Sequence, residues 1–227
     1  TLSNNTKTIE SNAFQYCKKL TKFNIDINNS NLSEIGEFAF AETSINEINI
    51  PPEVQNIKNS TFNNCIFLKD VRISSNSELN EINEYAFAGN LSLEKINIPK
   101  SIIKLSSKAF INTPSLLSIM TQSNINFFVN KNVVYFNHEL FFVPRNLKTF
   151  QVDQNCSTIK SSAFCGPNLE EVLLPDDSLK CIEECAFAHS TALREIVLPE
   201  SIQKIECDAF IHCENLEVVE FKQSCQL

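Results

Sequence analysis

Residues 82–99 read INEYAFAGNLSLEKINIP, and near-copies of this stretch recur along most of the chain. Its fixed points are Ile82, Phe87 and a Leu-x-x-Ile-x-Ile triplet that starts at Leu93. Most copies lie 22–26 residues apart, with a single gap of 54, and a period in this range is typical of solenoid proteins. The central phenylalanines of the copies are Phe14, Phe40, Phe62, Phe87, Phe110, Phe164, Phe187 and Phe210.

Each copy ends in an Ile-x-Ile alternation, which predicts a short β-strand with one buried face. Strands roughly 23 residues apart cannot form tight hairpins, so we expect them to lie parallel, joined by crossovers of one hand. Stacking several units buries the apolar groups that a single unit would leave open to water. The predicted fold is therefore a right-handed solenoid of α/β class, mostly β, with about nine repeats in a single domain over residues 1–227.

The repeat resembles the BspA-type leucine-rich repeat, whose pattern is Ile-x-x-x-Ala-Phe-x-x-Cys-x-x-Leu-x-x-Ile-x-Ile-Pro. Residues 9–20, IESNAFQYCKKL, show this pattern, and the resemblance covers the chain from about residue 8 to 221. It implies a leucine-rich-repeat solenoid with a parallel sheet on the concave face and short turns or 3-10 segments on the convex face. Proteins of this family are typically surface or secreted proteins of bacteria and anaerobic protozoa, associated with adhesion to host or matrix proteins. The resemblance thus implies an adhesin-like function and leaves the ligand unspecified.

The long gap holds a modified sixth repeat, in which residues 126–144 replace one half of the loop. Residues 133–143 predict a β-hairpin that turns at Asn137 and His138, because Asn favours tight turns. Two interpretations stay open for this insertion. It is either a self-packed excursion that bends the solenoid, or a protruding element that contacts a ligand through residues such as Tyr135 and His138.

Composition argues against several classes of function. The net charge of -8 and the pI near 5.0 disfavour nucleic acid, whose phosphates need clustered Lys and Arg. No apolar run approaches the roughly 20 residues that span a bilayer, so we expect no membrane insertion. The three glycines are too scattered for a phosphate loop, and the three histidines lack metal-ligand spacing. We therefore predict a protein without enzymatic activity, cofactor or metal.

Nine cysteines are a high and odd number. Cys17, Cys65 and Cys213 stand three residues after a repeat phenylalanine, in a slot that elsewhere holds small residues such as Thr43 and Asn90. We expect this slot to satisfy a backbone group inside the turn. Free buried thiols, one or two disulfides, or a zinc cluster stay open for the others, although Cys-x-x-Cys spacing is absent: Cys156, Cys165, Cys181, Cys185, Cys207 and Cys225.

Recognition in such horseshoe proteins uses the outward face of the strands. The first half of this face is polar, as at Arg72 and Asn97. The second half places three aliphatic residues among three glutamates, and we name this set the C-terminal strip: Glu171, Leu173, Glu195, Val197, Val218 and Glu220. An exposed apolar strip with an acidic rim predicts a protein partner. Further chain or a second copy of the protein, giving a homo-oligomer, could also cover it.

Two functions remain in competition after these observations. The first is a cell-surface or secreted, adhesin-like module that binds a host, matrix or cell-surface protein. The second is a cytoplasmic scaffold of the same fold that regulates a partner protein. Thiol titration separates them, because nine free thiols would favour the cytosol and paired ones an oxidising compartment.

Six Asn-x-Ser/Thr sequons occur, and one of them, at Asn90, fills the small inward slot of the repeat. We predict that Asn90 stays unglycosylated even if the chain enters a secretory pathway, because a sugar cannot be accommodated there. Peptide mapping of glycans on protein from its native source measures this. A glycan at Asn90 would contradict the alignment of the repeat.

Overall fold

The structure, a computed structural model, describes residues 2–121 and 127–222, and the chain divides into two compact units after Phe127. Both units are built from parallel β-solenoid turns, about nine in all, which confirms the predicted fold class. Within the described residues, the one regular helix is a single 3-10 turn at Ser107–Phe110. Cys225 lies outside the described part of the chain.

The first unit holds two kinds of parallel strand. The predicted Ile-x-Ile segments form four-residue strands that pair in register, Ile48 opposite Val71 and Ile96 opposite Ile119. The aliphatic residue five positions before each phenylalanine forms a second set of two-residue strands, which the sequence did not predict. The strands are β1 (Thr8–Ile9), β2 (Glu34–Ile35), β3 (Glu47–Ile50), β4 (Asn56–Ile57), β5 (Asp70–Ile73), β6 (Glu81–Ile82), β7 (Lys95–Ile98), β8 (Lys104–Leu105) and β9 (Ser118–Thr121).

The second unit begins with the insertion. Its strands are β10 (Phe127–Asn130), β11 (Val133–Phe136), β12 (Glu139–Phe142), β13 (Thr149–Gln151), β14 (Thr158–Ile159), β15 (Glu171–Leu173), β16 (Cys181–Ile182), β17 (Glu195–Leu198), β18 (Lys204–Ile205) and β19 (Val218–Phe221). Strands β11 and β12 pair antiparallel around Asn137 and His138, both of which have left-handed φ, so the predicted hairpin is present. Strand β12 then pairs parallel with β14, which makes the hairpin part of a six-stranded sheet.

Nearly every repeat phenylalanine lies between two residues in unusual backbone conformations. Phe40, for example, lies between Phe38 at φ 55° and Glu42 at φ 58°. Two sharp bends in five residues turn the chain inward, so the ring between them faces the core. The Phe40 N–H donates to the carbonyl of Thr61 at 2.9 Å, and the Glu42 N–H donates to Asn63 at 2.8 Å. Neighbouring turns are therefore joined by backbone hydrogen bonds outside the regular strands.

The rings themselves form a continuous stack inside each unit. In the first unit Phe62 is fully buried, and its ring lies 5.5 Å from Phe40 and 5.4 Å from Phe87, nearly parallel to both. In the second unit the ring of Phe187 lies 4.7 Å from that of Phe164 and 5.0 Å from that of Phe210. Such offset stacks add favourable aromatic contact to a large buried area.

The small slot after each phenylalanine has the predicted role. The Thr43 hydroxyl donates to the Phe40 carbonyl at 2.9 Å. The Asn90 amide donates to the carbonyls of Phe62 and Phe87 at 3.1 and 2.8 Å, and Asn90 is completely buried. A short polar side chain thus satisfies carbonyls that the bend leaves without a strand partner.

Replacing Phe62 by Ala should destabilise the first unit by about 3–5 kcal/mol, because a fully buried ring leaves a cavity between two stacked neighbours. Chemical denaturation followed by far-UV circular dichroism measures this. Phe67→Ala is the matched control, since this ring is 52% exposed and its loss should cost less than about 1 kcal/mol. Equal effects of the two substitutions would contradict the stack as a source of stability.

Candidate functional site

The C-terminal strip lies on β15, β17 and β19 of the second unit. Its aliphatic side chains are exposed, Leu173 by 53%, Val197 by 38% and Val218 by 41%. Strand register sets Glu195 opposite Val218 and Val197 opposite Glu220. The structure therefore brings all six predicted residues of the strip onto one face, as the alternation of the strands requires.

A groove of about 340 Å³ opens beside Leu173 and Val197. It lies where the strand ladder is interrupted: β13 pairs with β15, and β17 pairs with β19, but these are separate two-stranded sheets. Val172 and Ile196 line the groove although their side chains are buried, so they present backbone atoms to it. The strip thus combines exposed aliphatic groups with an opening into the sheet.

Charged side chains around the strip are mostly paired with each other. Lys148 Nζ lies 2.7 Å from the Glu170 carboxylate, and Arg194 lies 3.5 Å from Glu217. Lys222, at one end of the groove, is bound to Asp176. Across residues 127–222, no salt bridge includes a glutamate of the strip. Three carboxylates therefore surround the aliphatic groups without a cation of their own.

The other predicted face residues lie on the first unit, Arg72 on β5 and Asn97 on β7. Arg72 is held by two carboxylates: its Nε donates to Asp70 at 2.7 Å and its Nη2 to Glu47 at 2.9 Å. Asp70 and then Glu47 raise the pKa of this guanidinium. Because its hydrogen bonds are directed within the sheet, Arg72 is less available to a ligand than the sequence suggests. Asn97 is exposed opposite Met120.

The insertion residues lie on the other ladder, away from the strands that carry the strip. Tyr135 packs against the core of the second unit, and its hydroxyl accepts a hydrogen bond from the Asp153 N–H at 3.2 Å. Burial raises the pKa of Tyr135 to about 12. Tyr135 thus supports the fold rather than presenting a contact surface, whereas His138 is exposed in the hairpin turn.

A buried arginine that sequence reasoning missed fixes the end of the insertion. Arg145 Nη1 donates to the carbonyl of Ala163 at 2.6 Å, and its guanidinium lies 4.9 Å from the ring of Phe142. Burial lowers the pKa of Arg145 to about 10. The cation is stabilised by carbonyls and an aromatic face rather than by a carboxylate. Nothing in the sequence distinguishes it from a solvated loop arginine.

Sequence reasoning also missed the interruption of the ladder beneath the strip. Paired strands are 22 or 23 residues apart, as from Ile48 to Val71 and from Ile196 to Val219. The two interruptions have longer spacings, 25 residues from Val71 to Ile96 and 24 from Val172 to Ile196. The extra residues follow β5 and β15 and offset the next strand. The spacing therefore carried the signal.

The titratable groups show little reactive character. Burial raises the pKa of the Cys65, Cys156 and Cys185 thiols to about 11, so these thiols are protonated at neutral pH and weakly nucleophilic. All eight cysteines in the described ranges are free. The same ranges contain no group of three side chains placed to hold a metal ion, and no helix of the length and apolarity that crossing a membrane requires.

His189 and His212 stack in neighbouring turns, with ring centroids 4.8 Å apart. Burial first, and then the charge of His212, lower the pKa of His189 from its ordinary value near 6.5. A lowered pKa means that protonation opposes the folded state, so His189 decreases stability as the pH falls below about 6.5.

Among sequence families, the match to this chain is the one described as "BspA type Leucine rich repeat region (6 copies)", over residues 1–117 and 118–227. No curated protein matches the chain.

Several solved structures are similar. The pneumococcal vaccine antigen PcpA is 25% identical, with a TM-score of 0.83, over 98% of this chain and 61% of that chain. A leucine rich cell surface protein from Faecalibacterium prausnitzii A2-165 is 20% identical, with a TM-score of 0.69, over 96% of this chain and 80% of that one. A leucine-rich repeat protein from Bacteroides ovatus ATCC 8483 is 21% identical, with a TM-score of 0.53, over 96% and 71%. At these identities the last two support the fold alone, and the chain spans 61% of the pneumococcal protein.

Replacing His212 by Asn should raise the pKa of His189, because it removes the neighbouring imidazolium charge. The loss of stability between pH 7 and 5 should become smaller as a result. Titration of the imidazole resonances by NMR gives the pKa, and His138→Asn serves as the control at a separate site. A pKa of His189 that stays unchanged in His212→Asn would contradict the coupling.

Proposed function

We propose that this chain, which belongs to the BspA-type leucine-rich repeat family, is a non-enzymatic protein-binding module of a surface or secreted protein. It binds a host, matrix or cell-surface protein through the C-terminal strip. The observation that carries this proposal is the exposure of Leu173, Val197 and Val218 beside a groove, ringed by glutamates that have no cationic neighbour. Isolated apolar side chains are common on protein surfaces, but a contiguous strip with a polar rim is typical of a partner site.

Two further observations support a binding role over catalysis. The described thiols whose pKa shifts are all held in the less nucleophilic form by burial. The stacked pair His189 and His212 has no carboxylate or hydroxyl in the arrangement that general-base catalysis needs among the hydrogen bonds of the described residues. The turns vary in these residues while the core positions repeat, which is the usual division in repeat proteins that bind other proteins.

The proposed location rests on the relative at 25% identity, which is described as a vaccine antigen. Protective antibodies reach proteins that are exposed on or released from a cell, so this likeness supports an extracellular site for the present chain. Labelling of intact cells with a membrane-impermeant reagent tests it, with recovery of labelled chain expected.

A cytoplasmic scaffold that regulates a partner protein is the second candidate. The observation that favours it is that the eight described cysteines are all free, as is usual in a reducing compartment. Thiol titration of protein from its native source decides between the two, because paired cysteines there would exclude the cytoplasmic candidate.

The double substitution Leu173→Glu and Val197→Glu should abolish partner capture, by about 100-fold or more, because two carboxylates would be buried against an apolar contact and next to existing glutamates. Immobilised chain is incubated with solubilised matrix and cell-surface proteins, and bound protein is quantified by mass spectrometry. Since both residues are exposed, the circular dichroism spectrum and the melting temperature should stay unchanged.

The matched control is Asn49→Glu with Asn97→Glu, at the same strand positions of the first unit. It adds the same charge and should leave capture intact. Capture that survives in the strip variant, or is lost equally in the control, would refute the C-terminal strip as the binding site.

A further inference from the structure

The groove beside the strip is bounded by two strands that present the same side-chain order. On β15, Glu171 is followed two residues later by Leu173, and on β17, Glu195 is followed two residues later by Val197. Residues two apart on a strand lie on the same face, about 6–7 Å apart. Since neighbouring solenoid strands run in the same direction, both edges of the groove offer an acid and then an aliphatic group in one direction.

The floor of the groove is polar at the backbone. Strands β15 and β17 belong to different two-stranded sheets, and no backbone hydrogen bond joins them in the described part of the chain. Val172 is 7% exposed and Ile196 1%, yet both line the groove, so backbone atoms form that part of its wall. An extended segment lying along these strands would meet carbonyl and amide groups as well as side chains.

The charge of the groove selects among extended segments. The nearby acids Glu170, Glu217 and Asp176 each have a cation within the second unit, whereas Glu171 and Glu195 form no salt bridge among its described residues. A ligand with Lys or Arg at this position would supply the missing counter-charge. An acidic ligand would be repelled by both carboxylates at once.

We propose that the groove between β15 and β17 binds an extended, basic peptide segment in which Lys or Arg is separated by one residue from an aliphatic side chain. The aliphatic group packs between Leu173 and Val197, and the cation lies between Glu171 and Glu195. The inference rests on the proposed function and adds to it the chemical class of the partner. The one-residue separation follows from the strand periodicity on both edges of the groove.

Three fluorescent nine-residue peptides test this with the full chain. The first alternates Lys and Leu with Ser, as Ser-Lys-Ser-Leu-Ser-Lys-Ser-Leu-Ser. The second has Glu in place of Lys. The third, Ser-Lys-Leu-Ser-Ser-Lys-Leu-Ser-Ser, keeps the composition but places each Lys next to Leu, on the opposite face of a strand. Fluorescence anisotropy at low and high salt should show the first peptide binding about 10-fold more tightly than the others, and more weakly at high salt.

Glu171→Gln with Glu195→Gln should weaken the first peptide about 10-fold, as the loss of two exposed charge pairs would give. The control is Glu170→Gln with Glu217→Gln, which removes the same charge from carboxylates that already have partners. It should change affinity less than about 2-fold. Failure of the first peptide to bind, equal binding of the glutamate peptide, or equal weakening in the control would each overturn the proposal.

The outcome is separable from that of the proposed function. If Glu171→Gln with Glu195→Gln still captures the partner while Leu173→Glu with Val197→Glu does not, the strip remains the binding face and the basic segment is wrong. If Leu173→Glu with Val197→Glu still captures it, the proposed function fails as well.

Discussion

A pair of left-handed residues around each phenylalanine is the constraint on which the rest of this structure depends. Left-handed φ costs a residue other than glycine about 1–2 kcal/mol, and Phe38, Glu42 and Tyr85 all adopt it. The cost is offset because the resulting bend turns the phenylalanine ring inward and aims its N–H at the next turn. Phe62 donates in this way to Ala86 at 2.9 Å, as Phe40 does to Thr61. Ring stack and turn-to-turn hydrogen bonds therefore arise from one backbone shape.

Much of this could be predicted because it repeats. The spacing of the phenylalanines, the Ile-x-Ile strands and the small slot at Thr43 and Asn90 are each set by the local sequence, and eight copies make them visible. The left-handed positions could not be read in the same way, because residues as different as Asn12 and Tyr85 occupy them. There the bend is imposed by neighbouring turns, and the tertiary context overrides the preference of the residue.

The candidate site shows the same division. The six members of the strip were predictable, since strand alternation alone decides which side chains face outward. The fates of Arg72 and Tyr135 were not, because each depends on a neighbour more than 15 residues away: Glu47 for the guanidinium and Asp153 for the hydroxyl. A buried tyrosine and a paired arginine look the same in sequence as free ones. What makes the strip distinctive is correspondingly an absence of pairing within the described second unit, which only the structure can establish.

The hairpin of the second unit has a consequence for how that unit folds. Parallel turns must close a loop of some 23 residues before any strand contact forms, whereas β11 and β12 meet across two residues. Contacts of low sequence separation form in microseconds and lose little chain entropy, so the hairpin has the lowest contact order in the unit. Its second strand, β12, already offers β14 a parallel partner. The insertion thus provides a nucleation site from which the following turns can be added one after another, as in a one-dimensional chain growing from a seed.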